Sequence, residues 1–321
     1  MTTRTVTITG ASAGLGLECA RAILTADDSW HIVLAVRDAG RGQAAVADLG
    51  APDRCTVLTC DLASLRSVRA FTAAFPAAGL PPLHAIVANA GLQMVSGLQT
   101  TEDGVEATFG VNHLGHFALI EGLREHLVAP ARIILVASGT HDPEKFTGMP
   151  HPDYTTAEEL AHPQPGAPVD GRRRYTTSKL CNVLHAYELD RRLDHGAHGI
   201  TVTAFDPGLM PSSGLSRDYT RGQKIVWRII SPLLRVLPNV NSLATSGARL
   251  AALAIDPRHD GVTGAYFEGT TAIRSSTDSY DVDKARDLWE TSMRLVAASA
   301  DRPSTRPNPV APGNSGASPC R

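Results

Sequence analysis

Six short apolar runs recur along the chain, at residues 6–9, 31–36, 55–61, 84–91, 132–138 and 200–208. None alternates cleanly between apolar and polar residues, so each reads as a strand buried on both faces. Between them lie stretches of helical periodicity at 17–25, 41–49, 65–75, roughly 105–127, and 175–193. A weaker run at 262–267 adds a seventh strand. Strands buried on both faces and separated by helices form parallel sheets, because the crossover helices cover both sides. The pattern predicts an α/β chain with one doubly wound parallel sheet of about seven strands.

Three segments interrupt this rhythm. Residues 139–174 are rich in Pro, His, Gly and Arg and read as an irregular insert. Residues 213–240 carry Arg217, Arg221, Lys224, Arg228 and Arg235 between apolar residues and Trp227. The last residues, 301–321, are rich in Pro, Gly and Ser and are expected to be disordered. The expected organisation is one domain over 1–300, with the insert at 139–174, a lid at 213–240 and a tail at 301–321.

The 321 residues are 43% hydrophobic, enough for a large core, and the formal net charge is −2. That balance argues against a nucleic-acid binder. No secretory h-region and no run of about 18 apolar residues occurs, so a cytoplasmic chain is expected. Five cysteines, at 19, 55, 60, 181 and 320, form no CxxC pair, so neither a disulfide framework nor a metal site is expected.

After the first strand comes Gly10-Ala11-Ser12-Ala13-Gly14-Leu15-Gly16. Glycines there let the backbone turn tightly and approach a pyrophosphate, and the helix behind offers free N–H groups. The spacing GxxxGxG differs from GxGxxG. At the end of the second strand stand Arg37 and Asp38. An arginine there can pair with a ribose 2′-phosphate, which favours NADP(H) over NAD(H). In the alternative, Arg37 is a solvated loop cation and Asp38 holds the ribose.

Lysine is rare, with only Lys145, Lys179, Lys224 and Lys284 present. Tyr175 and Lys179 stand at i and i+4, which puts them on one helical face. A free tyrosine titrates near about 10, and an adjacent ammonium favours its phenolate. Asn89-Ala90-Gly91, Ser138 and Pro207-Gly208 end the fourth, fifth and sixth strands. That is the carboxyl edge, where such sheets bind ligands.

Together these motifs resemble the short-chain dehydrogenase/reductase family over roughly residues 3–298. The resemblance implies a single Rossmann-type domain that moves a hydride between a nicotinamide and a carbonyl or alcohol. It implies that Tyr175 is the general acid–base, that Lys179 binds the nicotinamide ribose and tunes the tyrosine, and that Ser138 polarises the substrate oxygen. Asn112 would hold a water of the proton relay. Asp61 and Leu62 match the adenine-contacting pair, Asn89 the residue supporting the central strand, and Ser212 a position that bonds the carboxamide. Ala13 departs from NADP-preferring relatives, which often carry a cation there.

Residues 112–117, 178–182, Trp30-His31 and 283–290 are similar to the retinol-dehydrogenase-like and protochlorophyllide-reductase-like branch. This implies a bulky lipophilic substrate. The light-dependent protochlorophyllide reductases have a Cys soon after the Lys, here Cys181, and another directly after Pro-Gly, where this chain has Leu209. A non-catalytic NADP(H) sensor on the same fold is the other alternative, and the intact Ser-Tyr-Lys-Asn set speaks against it. The i, i+3 pair His113 and His116 lacks a third ligand and reads as helix packing. The cations of 213–240 read as the solvent face of a lid, or as a patch for peripheral membrane contact. The expected partners are a small-molecule carbonyl or alcohol and a second copy in a homo-oligomer, with no nucleic acid.

Overall fold

The computed structural model describes residues 2–95, 97–164, 170–210 and 241–300. Eight strands form one sheet in the order β3-β2-β1-β4-β5-β6-β7-β8. They are β1 (Arg4–Thr9), β2 (Trp30–Val36), β3 (Cys55–Thr59), β4 (Leu83–Ala88), β5 (Leu127–Val136), β6 (Ile200–Asp206), β7 (Ala265–Glu268) and β8 (Thr271–Ile273). The first seven pair in parallel, and β8 turns back antiparallel on β7. The chain winds outward from β1 to β3, then returns to add β4 on the other side of β1. The crevice outside the carboxyl ends of β1 and β4 is therefore the topological switch point.

The absence of alternation in the strands has a direct cause. Ile32, Leu34 and Val36 pack on one face of the sheet with α1 (Gly14–Ala26), α2 (Ala39–Leu49) and α8 (Leu243–Ile255). Val33 and Ala35 pack on the other face with α3 (Leu65–Ala74), α5 (Gly115–Leu123), α7 (Gly171–Arg192) and α9 (Val282–Ala300). Both faces are cores, so every position of β2 is apolar or buried. Helices α1 and α8 meet closely at Gly247, where a Cβ would lie 2.5 Å from the Glu18 Cβ.

The structure departs from the expected elements in four places. Strand β8 is an eighth, too short and too exposed to leave an apolar signature. The stretch 105–127 is not one helix: α4 (Ala107–Phe109) leads into a π-helical turn, Gly110–Leu114, and then α5. Helix α7 begins at Gly171, before Tyr175, because the Asp170 carboxylate accepts the N–H groups of Arg172 and Arg173. Among its described residues, the insert 139–174 holds a short helix, α6 (Ala157–Ala161), capped by Thr156. Ser212, the segment 213–240 and the tail 301–321 lie outside the described residues. No helix among the described residues is long and apolar enough to cross a membrane.

Candidate active site

The turn after β1 has the shape of an anion cradle. Gly10 and Gly14 have φ of +67° and +61°, a region open to glycine at little cost. A Cβ on Gly16 would lie 2.6 Å from Asn89 Nδ2 and 2.9 Å from the Gly10 carbonyl. That position therefore requires glycine for close packing. Helix α1 starts behind the turn, and its N-cap, Ala13, supplies no side-chain hydrogen bond. The first N–H groups of α1 are left for a ligand. Ser12 and Ala13 are half-buried on this turn, and Leu15 is buried beneath it. The cradle fits a dinucleotide pyrophosphate.

Asn89 ties the turn to β4. Its Nδ2 donates to the Thr9 carbonyl at 2.8 Å, and the N–H groups of Asn89 and Ala90 donate to Thr9 Oγ1 at 2.8 and 2.9 Å. At the end of β2, Arg37 is exposed, while Asp38 Oδ1 accepts Arg41 N–H at 2.9 Å and caps α2. At the end of β3, Asp61 Oδ1 accepts the Ala63 N–H at 3.0 Å. Leu62 is buried where Gly115 opens α5, and a Cβ on Gly115 would meet the Leu62 carbonyl at 2.5 Å.

Helix α7 carries Tyr175 and Lys179 on one face, with Lys179 Nζ 5.6 Å from the tyrosine ring centroid. Lys179 Nζ and Asn182 Nδ2 both donate to the Val136 carbonyl at 3.0 Å, which anchors the helix to the end of β5. Lys179 is 4% exposed, and burial lowers its pKa to about 8 against an opposing pull from Asp206. Gly91 lies between the groups: a Cβ there would sit 3.4 Å from Asn112 Oδ1 and 3.7 Å from Lys179 Nζ.

Asn112 sits in the π turn, a distortion often found at functional sites. Its Oδ1 accepts Leu92 N–H at 2.8 Å, and its Nδ2 donates to the Leu92 carbonyl and to Ser178 Oγ, each at 2.9 Å. Its side-chain donors are thus both engaged, and what it keeps for a further donor is acceptor capacity, on Oδ1 or on the main-chain carbonyl. Ser138 caps the turn Gly139–His141, its Oγ accepting Thr140 N–H at 3.3 Å. That leaves the hydroxyl proton to donate. The turn packs against α7.

The short chain dehydrogenase family model matches residues 4–150. A WW domain-containing oxidoreductase of Danio rerio is 35% identical over 298 residues, spanning 91% of this chain and 68% of that protein. This chain is a short-chain dehydrogenase/reductase.

A protochlorophyllide reductase of Avena sativa is 34% identical over 316 residues, covering 91% of this chain and 99% of that protein. A solved structure from Mycobacterium paratuberculosis is similar with a TM-score of 0.68 at 28% identity, covering 92% and 94% of the two chains. The chain is an oxidoreductase of the branch that holds these two kinds of relative.

Sequence reasoning missed several groups that shape this oxidoreductase's site. Asp206, at the end of β6, accepts Gly208 N–H at 2.9 Å and the Tyr266 hydroxyl at 3.1 Å. Burial pushes its carboxyl up from the usual carboxylate range. The Pro207 carbonyl accepts the Ser246 hydroxyl at 2.7 Å, so the Pro207-Gly208 turn is held from α8 as well. His141 donates from Nδ1 to the Ser138 carbonyl at 2.7 Å and accepts Ser276 N–H at Nε2, 3.2 Å away. Arg174 pairs with buried Glu106 at 3.1 Å, joining the start of α4 to the turn before Tyr175. None of these has a motif. Asp206 beside Pro-Gly was the one legible hint, as a carboxylate in an apolar strand. Cys181 is a buried free thiol whose pKa burial pushes up, so it is packing rather than a nucleophile. Among the described residues no His, Cys, Asp and Glu cluster could hold a metal ion.

Proposed function

We propose that this short-chain dehydrogenase/reductase uses NADP(H) to interconvert a carbonyl and an alcohol on a bulky, lipophilic molecule, with Tyr175 as acid–base. The observation that carries the reading is the gathering of Lys179 Nζ and Asn112 beside Gly91, with the Tyr175 ring 5.6 Å from that ammonium, on the same sheet edge as the glycine cradle. Gly10, Ser12, Ala13, Gly14, Leu15 and Gly16 would hold the pyrophosphate. Asp61 and Leu62 would border the adenine, and Asn89, Ala90, Gly91, Pro207 and Gly208 the nicotinamide half. Ser212 would complete that half. Arg37, exposed at the end of β2, would pair with a 2′-phosphate, while Asp38 beside it caps α2 through Oδ1.

When bound, the nicotinamide gives or takes the hydride. Ser138 Oγ donates a hydrogen bond to the substrate oxygen, and the Tyr175 hydroxyl transfers its proton to or from that oxygen. The Lys179 ammonium stabilises the phenolate left behind. The Asn112 carbonyl holds the water that restores the proton. The reading takes 1–300 as one domain in the cytoplasm, with self-association and with 213–240 as a lid over the substrate; the alternative for that segment is contact with anionic lipid through its cations and Trp227. Liposome co-sedimentation of the full chain, with Trp227 and those cations substituted, tests the lipid contact.

The deciding experiment follows NADPH and NADH consumption against retinoid, steroid, quinone and polyketide-like carbonyls. Wild type turns over at least one of them with NADPH. Tyr175→Phe loses about 10²- to 10⁴-fold in kcat and retains NADPH affinity; full activity in that variant refutes the assignment. A light-dependent reading is favoured by the match to nearly the whole Avena sativa protochlorophyllide reductase. Leu209, where the sequence pattern has a cysteine, weakens it. Turnover that requires illumination would select it.

A further inference from the structure

Thr9, His116 and Asn112 form one hydrogen-bonded line through the interior. Thr9 Oγ1 accepts two main-chain N–H groups, from Asn89 and Ala90. Both acceptor positions of the hydroxyl are then filled, so it meets His116 Nε2, 2.8 Å away, as the donor. The Val87 carbonyl, at 3.4 Å, is the longer alternative for that proton. With Nε2 accepting, the ring proton sits on Nδ1, which donates to the Asn112 main-chain carbonyl at 3.1 Å. The network thus assigns one neutral tautomer. Burial agrees, since the ring is 1% exposed and its pKa is lowered to about 4, with Lys179 adding to the effect.

The neighbouring buried histidines behave differently. Neither ring nitrogen of His185 has a hydrogen-bond partner among the described residues, nor has His113 Nδ1. Those two pack with Phe117, and His185 also packs on Trp289. They are core side chains. His116 alone of the three has both nitrogens on residues of the site. Its acceptor side reaches the last residue before the cradle, and its donor side reaches the π turn that carries Asn112. In that turn Gly115 N–H reaches back to the Gly110 carbonyl. Within that turn the Asn112 carbonyl receives a side-chain donor, His116 Nδ1.

We propose that His116 is a positioning residue that ties the nucleotide cradle to the proton relay. It fixes the Asn112 carbonyl against the end of β1, so that the group handling the proton and the loop handling the cofactor move as one piece. The inference rests on the acid–base reading of Tyr175 given above. His116→Leu removes donor and acceptor at similar volume. His116→Asn keeps a donor where Nδ1 stands, and His116→Gln keeps a polar group where Nε2 stands.

The test uses the full chain with NADPH and the best carbonyl found. His116→Leu is expected to lower kcat about 10- to 100-fold and to raise the solvent deuterium isotope effect, with a much smaller change in NADPH Kd. His116→Asn, which keeps the donor to Asn112 but loses the tie to Thr9, should recover part of the lost kcat, and His116→Gln should recover none. In the wild type, nitrogen-15 spectra of the histidines should show a neutral, Nδ1-protonated ring for His116. Amide exchange at Asn89 and Ala90 should quicken in the leucine variant. Unchanged kcat and isotope effect in a folded His116→Leu would overturn the proposal. So would equal losses in the Leu and Asn variants, which is the mark of packing alone, or an Nε2-protonated ring in the wild type. If His116→Leu does not fold, the asparagine variant and the wild-type spectrum decide. Turnover surviving in Tyr175→Phe would remove the acid–base reading, while the spectrum and the exchange rates would still judge the brace.

Discussion

Arg37 and Lys179 are both cations on the carboxyl edge of the sheet, and their surroundings are opposite. Arg37 follows β2 on an exposed turn, beside an Asp38 already engaged in capping α2. Lys179 is buried in α7, bonded to the Val136 carbonyl and facing the Tyr175 ring. An exposed guanidinium keeps its rotamer freedom and its hydration, so it can adapt to a phosphate and can be exchanged without disturbing the core. A buried ammonium is held against its desolvation by surrounding dipoles, so its position and its charge are set by the fold. On the proposed function, cofactor choice would therefore rest on an adaptable surface residue, and proton handling on an interior that tolerates little change.

The largest expected effect comes from breaking the buried cation. Lys179→Met should lower kcat about 10²- to 10⁴-fold in steady-state assays. Lys179 should also leave its mark on the pH profile. With a pKa near 8, the ammonium is held below that pH and lost above it, so the rate supported by the ammonium should fall as pH rises through about 8. Lys179→Arg, if it folds, should push that fall to higher pH.

On the exposed side, Arg37→Asp should weaken NADPH binding by about 1.5–3 kcal/mol, the range for hydrogen bonds to charged groups. Its kcat at saturating cofactor should change little, and NADH should gain relative to NADPH. A large kcat loss in Arg37→Asp would erase the contrast between the two cations.

Acid should expose the fragility of the buried side. His116 is neutral in the fold with a pKa near 4, and burial also lowers the pKa of His185, to about 3. Both take up protons near 6.5 when unfolded. The unfolded chain therefore binds more protons between those values, and stability falls as pH drops below about 6.5. His116 alone should account for roughly 2 kcal/mol between pH 7 and pH 5, measured from urea unfolding midpoints.

The smallest effect sharpens the exposed end. Asp38→Ala should cost about 1 kcal/mol of stability through the lost cap and should leave the NADH Kd unchanged. A clear loss of NADH binding would show that Asp38 is a ribose ligand after all.

Much of this site was legible because its signals are local. The glycine spacing at 10–16 reflects backbone turns within one loop, and the Tyr175–Lys179 spacing reflects one helical face. The strand centres were legible because burial on both faces leaves continuous apolar runs. The π turn within 105–127 was not, since it is stabilised by the bonds of Asn112 to Leu92 and Ser178, from other parts of the chain. Strand β8 was hidden because an exposed edge hairpin needs no apolar pattern.

The histidines show the division most clearly. His113 and His116 look alike in the sequence, three residues apart and both suited to helix packing. Only His116 meets Thr9, at a separation of 107 residues, and His141 meets Ser276 across 135. Such pairings carry no periodicity, because a donor and its acceptor need only meet in space. The order of residues alone determined a parallel sheet buried on both faces, a cradle after its first strand and a tyrosine and lysine on one helix. The tertiary structure alone decided which buried polar groups brace them, because hydrogen bonding between distant segments exists only once the sheet has brought their ends to the same edge.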